Sequence, residues 1–284
     1  TAPALVTSPA FFASTPGFAA SALLRVLLRA GVQVRAAVRR PLPAHASLET
    51  VLIDDLRTAD WTALCTDVDV VIHAAAYAHD DRADPQMIFR INRDATAALA
   101  QAAGARDARF IFFSSIRAQA GVTSSAPLRD GEAPHPDGPY GEAKLQAEAA
   151  IRASCADHVI LRLAPLYGPG VKGNLATLFR LARKGVPLPF GALHAQRSLL
   201  AVETLANLIT RLLQDRAVRG TFLVAEPGAL SIGAMIATLR AAWGQSARLL
   251  PVPAAWMRGL CLALGRPLLW ARIGEPLLVA DAQD

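Results

Sequence analysis

The sequence has few of the residues that build disulfide frameworks or metal sites. Its three cysteines, Cys65, Cys155 and Cys261, are widely separated among 284 residues and form no CxxC motif. This spacing argues against a disulfide framework and against a zinc site, so no metal is expected. Unpaired cysteines are typical of a reducing compartment, and the expected location is therefore the cytoplasm.

Long uninterrupted apolar segments are also lacking. The mean hydropathy is positive, at +0.31, and 53% of the residues are hydrophobic. The best candidate for a membrane span, residues 249–269, is interrupted by Pro251, Pro253, Arg258 and Pro267. Because a spanning helix needs roughly 18 or more uncharged apolar residues, no membrane span is expected.

Charged residues make up 18% of the chain, and the formal net charge is +6. The arginines are scattered singly through apolar segments, with no basic run longer than Arg39-Arg40. This composition is typical of a globular protein with a cleft for an anionic ligand such as a nucleotide. It argues against nucleic-acid binding, which favours clustered basic residues.

Strand and helix patterns alternate through the first half of the chain. Short apolar runs predict strands at residues 10–13, 32–38, 51–53, 68–73, 109–113 and 159–162. Helical patterns cover residues 18–30, 87–103 and 141–153. Such a series predicts an α/β fold of the Rossmann type, a doubly wound parallel sheet that binds ligands at the carboxyl ends of its strands.

The pattern is less regular after Pro165. A helix is predicted at residues 175–184 and a short strand at 221–224, separated by the irregular segment 185–197. We interpret this half as a smaller, mixed α/β lobe that positions a substrate. The predicted division is therefore 1–165 and 166–284, with the second part interleaved with the first.

Three residues form a candidate proton-transfer set. Tyr140 and Lys144 lie four residues apart at the start of a predicted helix, which places them on one face. A free phenol has a pKa of about 10, and a neighbouring ammonium lowers it. Ser114 and Ser115 end the strand at 109–113. We interpret Ser115 as a hydrogen-bonding partner of a substrate oxygen and Ser114 as a turn residue that satisfies backbone groups.

The order of these segments resembles the extended short-chain dehydrogenase/reductases, the NAD(P)-dependent nucleotide-sugar epimerase/dehydratase family. The similar segments are Ser114-Ser115, residues 139–144, residues 161–170 and the fourth-strand segment 70–76. The resemblance implies catalysis by Ser115, Tyr140 and Lys144 on a nicotinamide cofactor. It implies that the cofactor contacts Ser14, Gly17, Phe18, Ala20, Arg39, Asp55, Leu56, Ala74, Ala75, Ala76, Asn92 and Pro165.

The glycine-rich turn of the family is altered in this chain. Ser14, Gly17 and Ala20 occupy the positions of its GxxGxxG motif, so the central glycine alone remains. A β-carbon at Ser14 crowds the turn if a positive φ is needed there. This change leaves open a non-catalytic protein that binds a dinucleotide or a nucleotide sugar. Arg39 and Arg40, at the end of the second strand, favour NADP over NAD.

Residues 168–174 and 188–199 resemble the bacterial UDP-N-acetyl-sugar branch, which includes 4-epimerases and 4-keto-sugar reductases of surface-polysaccharide synthesis. The resemblance implies a UDP-sugar substrate whose diphosphate contacts Asn174 and Arg197. A guanidinium can bind a phosphate with two parallel hydrogen bonds. The alternatives are that Arg197 fixes the irregular loop through backbone carbonyls, and that the substrate is a non-nucleotide ketone such as a steroid or flavonoid. A homodimer is also expected, since family members commonly pair.

Overall fold

The computed structural model describes residues 10–13, 17–77 and 84–280. Ser14, at the altered glycine turn, lies outside these residues. The strands, in chain order, are β1 (Ala10–Ala13), β2 (Val34–Val38), β3 (Leu48–Leu52), β4 (Val70–His73), β5 (Arg109–Ser115), β6 (His158–Leu163), β7 (Leu166–Tyr167), β8 (Gln196–Arg197), β9 (Leu200–Ala201), β10 (Gly220–Val224) and β11 (Leu230–Ser231).

Helices connect these strands. They are α1 (Phe18–Arg29), α2 (Trp61–Leu64), α3 (Pro85–Phe89), α4 (Ala95–Gly104), α5 (Ile116–Gln119), α6 (Pro139–Ser154), α7 (Gly173–Arg183), α8 (Val202–Gln214), α9 (Ile232–Ala242), α10 (Ala254–Ala263) and α11 (Pro267–Gly274). A π-helical turn, Arg90–Asp94, joins α3 to α4. Within the described ranges, no helix is long and apolar enough to cross a bilayer.

Seven parallel strands form the central sheet, in the order β10-β6-β5-β4-β1-β2-β3. The sheet is buried on both faces: α1 and α8 contribute to one core, and α2, α4 and α6 contribute to the other. Along β1, Phe12 packs into the first core and Phe11 into the second. Burial on both faces explains the nearly continuous apolar runs of the sequence. The predicted doubly wound Rossmann-type sheet is confirmed.

The strand order reverses at β1, which lies between β2 and β4. From β3 the chain crosses over to β4, on the other side of β1, and then continues outward through β5 and β6. In open α/β sheets, ligands bind in the crevice outside the carboxyl ends of the strands at such a reversal. The site is therefore expected beyond Ala13, His73 and Ser115.

Two elements differ from the sequence-based prediction. The helix predicted over 87–103 is divided by the π-helical turn, which places the buried Asn92 side chain toward the loop after β4. Strand β3 starts at Leu48 rather than at the predicted Val51. This edge strand is half exposed and includes polar residues, so an apolar run does not mark its first residues.

The chain after Pro165 builds a second lobe but also completes the sheet. Strand β10 extends the sheet beside β6, and α8 packs against α1. The remaining elements form two small sheets, β7-β9 and β8-β11, and a separate core between α7 and α9. Residues on both sides of Pro165 therefore contribute to the central sheet.

Candidate active site

Ser115 ends β5 and also starts α5. Its Oγ accepts a hydrogen bond from the backbone N–H of Arg117, at 3.2 Å, so the hydroxyl caps this short helix. The Ser115 side chain also lies close enough to Tyr140 to lower the pKa of its hydroxyl. The structure therefore brings together two of the three residues of the predicted proton-transfer set.

Tyr140 lies in the first turn of α6, which begins at Pro139. The next residue, Gly141, lies against the carbonyl oxygen of Arg117: a β-carbon at position 141 would be 2.2 Å from that oxygen. Glycine is therefore required at this position for the start of α6 to approach α5. This close approach places the Tyr140 ring beside Ser115.

Burial raises the pKa of Tyr140 to about 12. The positive charge of Arg117 and the side chain of Ser115 both act in the opposite direction. The Arg117 guanidinium carbon lies 5.6 Å from the centre of the Tyr140 ring, and its Nη2 lies 3.8 Å from Asp137. Nothing in the sequence pattern singles out Arg117, because its position depends on the fold of α5 against α6.

Lys144 lies one turn after Tyr140 and is 1% exposed. Its Nζ donates a hydrogen bond to the Phe113 carbonyl, at 2.8 Å, and lies 4.3 Å from the centre of the Phe112 ring. Burial lowers the pKa of Lys144 to about 7, while the negative charge of Glu148 raises it. The ammonium is thus held at the carboxyl end of β5, with further N–H groups to donate.

A buried ion pair supports α6 behind these residues. Glu148, which is fully buried, accepts hydrogen bonds from Arg162 at 2.7 Å and from the Ser114 hydroxyl at 2.6 Å. Arg162 also donates to the side-chain oxygen of Gln119, on α5. Ser114 is therefore structural, as predicted, although its partner is a side chain and not a backbone group. The network connects β5, β6, α5 and α6.

The N-terminus of α1 lies at the strand-order reversal. Gly17 is its N-cap residue, with φ of −95°, and among the described residues no side chain caps this helix end. The first turn contains no acidic residue. Phe18 contacts the loop after β7: a β-carbon on Gly168 would lie 3.5 Å from the Phe18 ring. Ala20 is buried in the core.

The ends of β2 and β3 carry the residues predicted to contact adenosine. Arg39 and Arg40 are exposed directly after β2. Asp55 accepts hydrogen bonds from the backbone N–H of Arg57, at 2.8 Å, and from its side chain. These bonds hold the pKa of Asp55 below its usual value. Leu56 is buried.

The loop after β4 is held by Asn92. The Asn92 amide accepts from the Tyr77 N–H at 2.9 Å and donates to the Tyr77 carbonyl at 3.1 Å. Between β4 and Tyr77, the chain consists of Ala74, Ala75 and Ala76, of which Ala75 is buried and the other two are partly exposed. Asn92 thus positions the loop that is predicted to contact the cofactor.

Three more predicted residues, the cofactor contact Pro165 and the substrate contacts Asn174 and Arg197, lie in different surroundings. Pro165 follows β6, and its carbonyl accepts from Leu200 N–H at 3.1 Å. Asn174 is exposed in the first turn of α7. Arg197 donates to three backbone carbonyls, those of Ala271, Glu275 and Val122, at 3.0 to 3.2 Å. Contacts with backbone carbonyls are what the alternative interpretation predicts, in which Arg197 has a structural role. Burial lowers the pKa of Arg197 to about 10.

These residues fit a nicotinamide dinucleotide. The uncapped N-terminus of α1 suits a pyrophosphate, because free N–H groups and the helix dipole both favour an anion. Alanines line the approach after β4, and exposed arginines follow β2. Ser115, Tyr140 and Lys144 lie at the same edge of the sheet as these elements.

Comparison with known proteins gives the same assignment. The family described as the NAD dependent epimerase/dehydratase family matches residues 15–225. This chain belongs to that family. A UDP-glucose 4-epimerase from Vibrio cholerae is 34% identical over 250 residues, 84% of this chain and 76% of that enzyme. The dTDP-4-dehydrorhamnose reductase of Salmonella typhimurium is 32% identical over 119 residues and is covered over 39% of its length.

Solved structures share the fold at lower identity. The Bordetella bronchiseptica enzyme WbmG in complex with NAD superposes with a TM-score of 0.79 at 19% identity, covering 100% of this chain and 88% of WbmG. The dTDP-4-dehydrorhamnose reductase of Bacillus anthracis in complex with NADP gives 0.72 at 18% identity, over 89% and 86% of the two chains. The predicted enzyme class, an extended short-chain dehydrogenase/reductase of the epimerase/dehydratase family, is confirmed.

Proposed function

We propose that this enzyme transfers a hydride at carbon 4 of a UDP-linked sugar, with Tyr140 as acid and base. The observation that carries the proposal is the contact of Ser115 with Tyr140 at the carboxyl edge of the sheet, one helical turn from Lys144. The 34% identity to the Vibrio cholerae epimerase supports the substrate class.

Each catalytic residue has a role that follows from its surroundings. With a pKa near 12, Tyr140 is protonated at neutral pH and donates its proton to a carbonyl oxygen of the substrate. Ser115 shares that hydrogen bond. Lys144 holds a ribose hydroxyl with the N–H groups that Phe113 does not use. A bound nicotinamide supplies or accepts the hydride.

The arginines after β2 support NADP over NAD. Arg39 and Arg40 are exposed, and no carboxylate follows β2 directly to bind the ribose hydroxyls of NAD. For the substrate diphosphate, we propose Asn174 and Arg197. Arg197 lies near Arg272, whose positive charge lowers its pKa, and near Glu275, whose negative charge raises it; its guanidinium fork can bind a phosphate.

Binding and turnover of the purified chain test this proposal. Titration calorimetry with NADP, NAD and UDP-N-acetylglucosamine is expected to show binding of one dinucleotide and of the UDP-sugar. Tyr140→Phe is expected to bind both with unchanged affinity and to lose about 10²- to 10⁴-fold in kcat. Tyr167→Phe is the matched control, since the Tyr167 hydroxyl binds Glu226 in the second lobe.

The outcomes distinguish the alternatives. An epimerase converts UDP-N-acetylglucosamine without net consumption of NADPH, whereas a reductase consumes one NADPH for each keto group. Absence of dinucleotide binding at millimolar concentration would instead favour the non-catalytic sugar-binding protein. Turnover of a steroid or flavonoid ketone, with no UDP-sugar binding, would favour the non-nucleotide reductase.

A further inference from the structure

Helices α10 and α11 form a surface that the proposed function does not use. We call residues 254–274 the apolar hairpin. Six of its large hydrophobic side chains are exposed, and Trp256 retains 74% and Leu264 63% of its accessible surface. The six residues are Trp256, Leu260, Leu262, Leu264, Leu268 and Leu269. Contiguous exposed apolar side chains of this kind are typical of an interaction site.

One side of the apolar hairpin fixes it to the second lobe. Cys261 and Trp270 are its buried residues, and they pack against Leu193. Arg197 binds the carbonyls of Ala271 and Glu275 at its C-terminal end. The exposed leucines and Trp256 therefore belong to a surface of defined position, not to an unattached segment.

The sequence of the apolar hairpin is basic, and the next carboxylate along the chain, Glu275, accepts a hydrogen bond from Trp270 Nε1 at 3.1 Å. From residue 227 to 274 the sequence contains no aspartate or glutamate, while arginines occur at 240, 248, 258, 266 and 272. Arg240 is buried, whereas Arg258 and Arg266 are exposed on the apolar hairpin itself. Basic side chains beside exposed leucine and tryptophan match the interfacial region of an anionic bilayer.

We propose that the apolar hairpin docks on the surface of an anionic lipid bilayer. Its helices have ten and eight residues, so they lie in the interface and do not span the membrane. A second copy of this chain fits less well, because a symmetric contact would bring the exposed Arg258 and Arg266 of one copy near those of the other. The proposal does not depend on which sugar the enzyme uses.

Co-sedimentation of the full chain with vesicles tests the proposal. We expect binding to vesicles of phosphatidylglycerol and phosphatidylcholine in equal parts, and weaker binding to phosphatidylcholine alone. Leu260→Gln/Leu264→Gln is expected to lower the partition coefficient by about tenfold or more. Arg258→Gln/Arg266→Gln is expected to lower it by about tenfold on anionic vesicles, with little change on neutral ones.

The control is Leu52→Gln, which changes a side chain of similar exposure, 60%, on β3. It is expected to bind vesicles like the parent chain. Equal sedimentation with and without anionic vesicles would overturn the proposal. A concentration-dependent dimer that Leu260→Gln/Leu264→Gln converts to a monomer, with no vesicle binding by the parent, would assign the surface to a second copy instead.

Discussion

The two lobes of this enzyme accommodate a buried arginine in different ways. In the Rossmann sheet, Arg162 binds the buried carboxylate of Glu148 at 2.7 Å, so the two charges compensate each other. In the second lobe, Arg197 binds three backbone carbonyls and its neighbour Arg272 is also positive. The backbone carbonyls accept hydrogen bonds from Arg197, but because they are neutral they do not compensate its positive charge.

We interpret the difference as two roles: the Glu148–Arg162 pair supports the fold, and Arg197 is proposed to bind a ligand. The Glu148–Arg162 pair fixes α6, and with it Tyr140 and Lys144, without adding net charge beneath the proposed catalytic residues. Glu275 lies near Arg197 but, among the described residues, no carboxylate forms an ion pair with it, and its charge lies in the lobe where an anionic substrate is proposed to bind. Net positive charge in a cleft raises the local concentration of a diphosphate.

Removing one charge of the compensated pair gives the largest expected effect. Glu148→Gln leaves Arg162 buried without a carboxylate, and we expect the free energy of unfolding to fall by about 3–5 kcal/mol in urea denaturation. The matched control, Glu142→Gln on the exposed face of the same helix, is expected to change it by less than about 0.5 kcal/mol.

A double substitution separates charge compensation from packing. Glu148→Gln/Arg162→Met removes both charges, so we expect it to be more stable than Glu148→Gln alone. If the double variant loses as much stability as the sum of the two single variants, the pair acts through independent contacts and the comparison of the two lobes is wrong.

The next largest expected effect is on the free energy of unfolding, comes from Lys144, and depends on pH. Burial lowers its pKa from 10.5 in a model peptide to about 7, so between these values the unfolded chain binds a proton that the folded chain has released. Stability therefore rises with pH through this window. Relative to Lys144→Met, which has no such proton, the parent chain is expected to gain about 3 kcal/mol between pH 7 and pH 10.

Urea denaturation of both proteins at several pH values measures this gain. Lys184→Met, at the exposed C-terminal end of α7, serves as the control and is expected to differ from the parent by a constant amount. A constant difference for Lys144→Met as well would show that Glu148 keeps this lysine charged throughout.

The sequence predicts the sheet better than it predicts the site. Strand residues such as Val70 and Phe110 are apolar because both faces of the sheet are buried, and this pattern is local. Pairing of Tyr140 with Lys144 follows from helix periodicity. By contrast, Arg117 reaches Tyr140 because Gly141 allows two helices to touch, and Glu148 reaches Arg162 across separate elements. Contacts of this kind depend on the tertiary fold and have no signature in the spacing of residues.

Arg197 in the second lobe gives a smaller expected effect on stability. Arg197→Met leaves three carbonyls without their donor, and we expect a loss of about 1–3 kcal/mol in the free energy of unfolding. The affinity for UDP, measured by calorimetry, is expected to fall as well. Arg180→Met changes an exposed arginine of α7 and is expected to leave stability unchanged.

The measurements of stability and of UDP affinity on the Arg197 variants distinguish a structural role from a role in binding. A loss of stability with unchanged UDP affinity would make Arg197 a structural residue, as the alternative in the sequence analysis holds. A loss of both supports the proposed contact with the diphosphate. Arg197→Lys keeps the charge but not the planar fork, so it is expected to recover UDP affinity better than stability.

The smallest expected effect concerns Arg117, the cation that contacts the proposed catalytic residue Tyr140. Because its charge lowers the pKa of Tyr140, Arg117→Met is expected to move the rise of kcat in the oxidation direction toward higher pH. Arg117→Lys is expected to restore most of the shift. Asp137→Asn removes the carboxylate near Arg117 and leaves its charge, so it is expected to keep the parent profile. A parent-like profile for Arg117→Met would assign the control of Tyr140 to Lys144 and Ser115.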